Sequence, residues 1–98
     1  MKRIGLSAIV FALSTCATLT PGGQAVKYAT KTEPDAACKQ LQETVSSSFN
    51  ASQESLINSL RNDVAAKGGN FLVIDTMLAV SANGSMRYEG TGRGFVCP

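Results

Sequence analysis

Three cysteines constrain this 98-residue chain more than any other feature: Cys16 follows an apolar N-terminal stretch, whereas Cys38 and Cys97 bracket nearly everything that can fold. Met1-Lys2-Arg3 is a short positive region and residues 4–13 are uninterrupted by charge, the two parts an export machinery recognises. The stretch from Ile4 to Leu19 contains Ser7, Ser14, Thr15 and Thr18 and falls short of the ~20 apolar residues a bilayer span needs, so it reads as a signal peptide over residues 1–15. Export means an oxidising compartment, where an odd thiol is a liability. Three cysteines are odd, and either modification or removal of Cys16 leaves Cys38 and Cys97 to pair.

Two processing readings follow. Leu13-Ser14-Thr15-Cys16 resembles a bacterial lipobox with Cys16 as the lipidated residue, although Thr15 stands where Gly, Ala or Ser is usual. Gly23-Gln24-Ala25, beyond Pro21, is an acceptable ordinary cleavage site, which would release a soluble domain after Ala25. Acylation of Cys16 would make the membrane a partner, because each buried methylene adds about 0.8 kcal/mol and several chains make release negligible. By resemblance to enterobacterial sorting, Ala17 after the cysteine directs the protein to the outer membrane, facing the periplasm.

Charge narrows the other partners. Of the nine basic residues, Lys2 and Arg3 leave with the signal, and the remaining seven balance seven acidic ones. A neutral surface without a basic stripe gives no reason to expect nucleic acid. A domain of roughly 60 residues buries only about 60% of its unfolded surface and is marginal without a crosslink. A Cys38–Cys97 bridge between the head of the first strand and the end of the last would supply ~4 kcal/mol in the chain-entropy model.

Periodicity gives an α+β order. Residues 16–37, rich in Thr, Pro and Gly, read as a lipid-anchored tether with one short extended piece around Val26, Lys27 and Tyr28, little of it packed. The domain is 38–98. Leu41, Glu43 and Val45 alternate with Gln40, Gln42 and Thr44, as in a partly exposed strand. Residues 46–50 read as a loop, and Asn50 or Ser52 can cap a helix over residues 52–67, with Gln53 placed to complete a box from Asn50. On that helix Leu56, Ile57, Leu60 and Val64 form one stripe, and Gly68-Gly69 ends it. Residues 71–80 are apolar on both faces and predict a central strand, and Asn83-Gly84 predicts a hairpin into a strand over residues 86–96. The expected fold is β-α-β-β, a three-stranded mixed sheet with one helix on one face and a right-handed crossover between the first two strands.

Chemistry is thinly represented. The chain has no histidine, and its carboxylates are scattered, so no metal site, cofactor, small-molecule substrate or catalytic residue is expected and the protein reads as a non-enzyme. Asp75 lies inside the apolar run and is expected on the open side of the sheet or bonded to a loop amide. Gly90, Gly92 and Gly94 alternate, which excludes a G-x-G-x-x-G phosphate loop and suggests a smooth strip that a helix, loop or strand approaches. Arg61 and Arg93 are candidates for a binding face, with a solvated role the plainer alternative.

A resemblance emerges from the lipobox, Leu19-Thr20-Pro21-Gly22-Gly23 with Val26, Cys38, Leu60-Arg61-Asn62, Ala65-Ala66, Gly68-Gly69-Asn70-Phe71, Val73-Ile74-Asp75-Thr76 and Gly92-Arg93-Gly94-Phe95-Val96-Cys97-Pro98. These residues resemble a domain-of-unknown-function family of short proteobacterial lipoproteins, distantly similar to the outer-membrane lipoprotein sensor of the Rcs envelope-stress phosphorelay. That sensor has four cysteines in two bridges and a longer proline-rich tether, features this chain lacks. The resemblance implies the Cys38–Cys97 bridge, retention of residues 17–25, and hence lipidation over cleavage after Ala25. Together these readings make an outer-membrane-anchored interaction or stress-sensing module with an envelope-protein partner the first expectation. A small periplasmic inhibitor of a hydrolase such as lysozyme, presenting residues 46–50 or 81–85 as a loop, is the alternative.

Overall fold

The computed structural model describes residues 17–98. The expected signal peptide and Cys16 lie outside the described residues. In chain order the elements are α1 (Pro21–Gln24), β1 (Lys27–Thr30), β2 (Lys39–Asn50), α2 (Gln53–Ala66), β3 (Phe71–Ala82) and β4 (Ser85–Val96).

The class is α+β with one long helix on a mixed sheet, but the sheet has four strands in the order β1-β3-β4-β2, not three. The added strand is β1, which pairs in parallel with the start of β3, from Lys27 beside Phe71 to Thr30 beside Ile74. Four residues carry almost no periodic signal, and what places them is the unfilled edge of β3. Nor do the first two long strands lie side by side: β4 runs between β3 and β2, antiparallel to both, so α2 crosses over an intervening strand.

Two segments expected as loops are strand. Residues 46–50 continue β2, because Ser46, Ser47 and Asn50 pair with Thr91, Gly90 and Tyr88, so three poor strand formers find ladder partners on either side of a register break at residues 48–49. Likewise β3 extends to Ala82, so the connection to β4 shrinks to Asn83-Gly84 between the paired Ala82 and Ser85. Both turn residues have positive φ, 51° and 78°, as a two-residue hairpin turn of this twist demands.

Helix α2 begins where Ser52, not Asn50, caps it, its hydroxyl accepting from the Ser55 N–H at 3.0 Å. Asn50 stays in the sheet, buried, with its amide donating to Tyr88 O and Ser47 Oγ. The helix stops at Gly68, φ 90°, where Gly68 N–H donates to Ala65 O and Gly69 N–H to Val64 O. That pair of bonds satisfies two of the last carbonyls.

Leu56, Leu60 and Val64, one turn apart, are fully buried against Val26, Val45, Leu72 and Ile74. Each such side chain contributes about 1.5–3 kcal/mol. The helix can come this close because of the alternating glycines. A Cβ at Gly94 would lie 2.9 Å from Leu41 Cδ1 and 3.1 Å from Val64 Cγ2 of the helix, and one at Gly90 3.2 Å from Leu56 Cδ2 of the helix. Since Gly92 and Gly94 face α2, the pleat turns Arg93 and Phe95 to the opposite, open face.

Cys38 and Cys97 are joined, 59 residues apart in sequence, tying the entry of β2 to the exit of β4. Beside the bridge, Asn70 exchanges side-chain bonds with Cys97 N–H and C=O at 2.7 and 2.9 Å, while its own backbone reaches Phe95 O and Lys27 N–H. One residue thereby joins the ends of three strands.

Candidate functional site

The segment expected to hang as a tether instead lies along α2 from its first described residue. Ala17 N–H donates to Ser55 Oγ at 2.8 Å, and Asn58 Nδ2 donates to Ala17 O at 3.1 Å. One turn further on, Asn62 donates to Thr18 O at 2.8 Å and accepts from Thr20 N–H at 2.9 Å. Thr20 then caps the short helix α1, with Pro21 at its start and Gly23 buried against Asn62, a position where any Cβ would collide with the Asn62 carboxamide. Val26, 1% exposed, enters the core. The composition of residues 17–26 hides this: Thr, Pro and Gly resemble a linker, and the polar atoms that hold the segment sit on Asn58, Arg61 and Asn62, which helical periodicity assigns to the solvent side.

Arg61 is one of those holders. Its Nε donates to Val26 O at 2.9 Å and Nη2 to Gln24 O at 3.3 Å, and the guanidinium stands 5.3 Å from the Tyr28 ring centre. A guanidinium spread over two carbonyls and a ring positions chain and has little left for a ligand.

Arg93 is likewise engaged, on the open face. It forms a two-pronged pair with Asp75, Nε to Oδ2 at 2.9 Å and Nη2 to Oδ1 at 2.8 Å, and Nη2 also meets Glu33 at 2.7 Å. Asp75 occupies a bulge between Ile74 and Thr76 in the β3–β4 register, which swings its carboxylate towards Arg93. The Arg93 hydrogen bonds hold the Asp75 carboxyl below its ordinary range despite a desolvation that pulls the other way, and the two carboxylates push the Arg93 guanidinium further up. Asp75 is thus on the open side, as its place in the run suggested, with a side-chain partner in place of a loop amide.

Glu33 reaches Arg93 because the chain has to cross the sheet. β1 and β2 occupy opposite edges, and Lys31, in the left-handed region at φ 57° with its N–H on Ile74 O, turns residues 31–38 over the open face. Beneath that strap Val73 and Phe95 are buried.

Beyond the strap the open face holds a shallow depression of about 220 Å3 lined by Ser46, Ser48, Thr76, Leu78, Glu89 and Thr91. Thr76 Oγ1 and Thr91 Oγ1 are bonded to each other at 2.8 Å, and Thr91 N–H donates to Thr76 Oγ1, so these hydroxyls are already committed. Among the described residues no group of three or more His, Cys, Asp or Glu side chains could hold a metal, and no helix is long and apolar enough to cross a membrane. Of the two stretches considered as inhibitory loops, residues 46–50 belong to β2, and residues 81–85 are split between β3 and β4, with Asn83-Gly84 between them as the turn. Cys16, the expected lipidation site, directly precedes Ala17, the residue clamped by Ser55 and Asn58. Compared with protein-family models, with curated proteins and with solved structures, the chain matches none.

Proposed function

We propose that the protein is a bacterial envelope lipoprotein, acylated at Cys16 and held at the outer membrane facing the periplasm, whose disulfide-braced domain acts as a non-enzymatic interaction or stress-sensing module. The observation that carries the reading is the fixed course of residues 17–25 along α2. Cleavage after Ala25 would strip away the bonds that Asn58, Arg61 and Asn62 make to Ala17, Thr18, Thr20 and Gln24, leaving those polar groups on α2 without their partners. Processing at Cys16 keeps all of them. It also supports a role at a surface, because a domain clamped from Ala17 onward would sit against the bilayer with no slack between lipid and fold.

The paired state of Arg61, Asp75 and Arg93 supports a structural role for the residues that otherwise suggest chemistry. The test is metabolic labelling with palmitate. Wild-type protein is expected to incorporate label and fractionate with the outer membrane, and Cys16→Ser to lose both. Label retained in Cys16→Ser, or a mature N-terminus at Val26, would rule the anchor out.

A further inference from the structure

Among the described residues the sheet has three strand edges without a strand partner, and they differ sharply. β1 is four residues long and begins with Lys27. β2 carries Lys39 and Glu43, and its register breaks twice, between Gln40 and Thr44 and between Ser47 and Asn50. Short length, charge and bulges are the usual means of keeping an edge from pairing with another chain. The outer half of β3 has none of them. β1 pairs only as far as Ile74, and from Thr76 to Ala82 the β1 side of β3 has no strand partner among the described residues. That edge reads Thr76-Met77-Leu78-Ala79-Val80-Ser81-Ala82, seven residues without charge, proline or register break.

The hairpin determines which backbone groups the edge offers. In a two-residue hairpin the flanking pair, here Ala82 and Ser85, exchanges hydrogen bonds, so Val80 and Leu78 direct theirs to β4 as well. The N–H and C=O of Met77, Ala79 and Ser81 then point outward. Leu78 and Val80 are 56% and 37% exposed on the open face.

We propose that this edge pairs antiparallel with the same edge of a second copy, joining two four-stranded sheets into one. The pairing is self-complementary. With the two-fold axis through Ala79 or Val80, outward N–H and C=O groups meet their counterparts, and Leu78 and Val80 of both copies form one apolar strip on the open face. A two-fold axis normal to the sheet keeps both α2 helices on the same side. Ala17, bonded to α2 in each copy, is therefore on the same side in both, so two acylated Cys16 residues could enter one leaflet. The choice of a second copy over a foreign strand rests on the lipoprotein reading, since anchored copies share a surface and meet at high effective concentration.

The test is sedimentation velocity of the full acylated protein in detergent, with palmitate content measured in parallel. Wild type and Gln42→Lys, which adds charge to the β2 edge, are expected to be dimeric. Ala79→Pro removes an outward N–H without touching the hairpin ladder, and Val80→Lys places a charge beside the pairing edge; both are expected to be monomeric with the wild-type circular dichroism spectrum. Val80→Lys serves should Ala79→Pro fail to fold. Acylated wild type that remains monomeric, or a dimer that survives both edge substitutions, overturns the proposal. Loss of the anchor reading gives a different result: no palmitate on Cys16, yet a dimer still sensitive to Val80→Lys.

Discussion

At the scale of single residues, the informative side chains are those whose charge is used up inside the fold. Asp75 has its carboxyl lowered chiefly by the Arg93 hydrogen bonds. A carboxyl more acidic in the folded than in the unfolded chain contributes stability that is present above the ordinary carboxylate range and is lost as pH falls through the folded value. Wild-type stability is therefore expected to decline in acid below about pH 4 in part through this pair, and Asp75→Asn to flatten that part of the profile while lowering stability at neutral pH. Urea midpoints measured from pH 7 to pH 2.5 check this. An Asp75→Asn profile parallel to wild type would show that the pair does not contribute. In sequence, Asp75 was recognisable as a charge in an apolar run and its side of the sheet could be anticipated. Its partner was not, because the bulge that aims it comes from a register that only β4 supplies.

At the scale of elements, α2 was legible nearly to the residue. Leu56, Leu60 and Val64 recur at helical spacing, Ser52 can cap, and Gly68 tolerates the left-handed turn that ends it. Its polar face was not legible. Asn58, Arg61 and Asn62 look like solvated positions but serve as a rail for residues 17–26. Asn62 bonds to that segment most often, so Asn62→Ala is expected to free the segment locally, leaving Thr20 N–H and Thr18 O to water, at a cost of about 1–2 kcal/mol. Hydrogen exchange should then rise at residues 18–24 with little change in β3 and β4, as expected of a local opening. Uniform acceleration across the sheet would show instead that the segment and the core unfold together. The misreading of residues 46–50 has a similar origin: serines favour turns locally, but a long partner strand in β4 outweighs a weak preference.

At the scale of the molecule, one crosslink joins β2 to β4 at the shared end of an antiparallel pair. Closing a loop across a sequence separation of 59 contributes ~4 kcal/mol by restricting the unfolded chain. That is near the whole stability expected of so small a core. The paired substitution Cys38→Ala with Cys97→Ala is expected to lower the unfolding free energy by about that amount, and calorimetry with and without reductant should give the same drop for wild type. A melting temperature unmoved by reduction would mean that packing under α2 suffices by itself.

The sequence by itself determined what each stretch could become: helix from a stripe of Leu and Val, hairpin from Asn-Gly, a close-packed strip from alternating glycines, a bridge from two cysteines left by parity. These depend on spacing and on intrinsic preference, which neighbours in the chain specify. Only the tertiary structure decided who lies beside whom. That Lys27–Thr30 becomes a fourth strand, that β4 separates β2 from β3, that Glu33 reaches Arg93, and that the far half of β3 has, among the described residues, no strand partner beyond β4 follow from contacts between residues distant in sequence. The cause is that a strand's partner is chosen by whichever unsatisfied backbone and apolar face the assembled sheet presents, a property of no single segment.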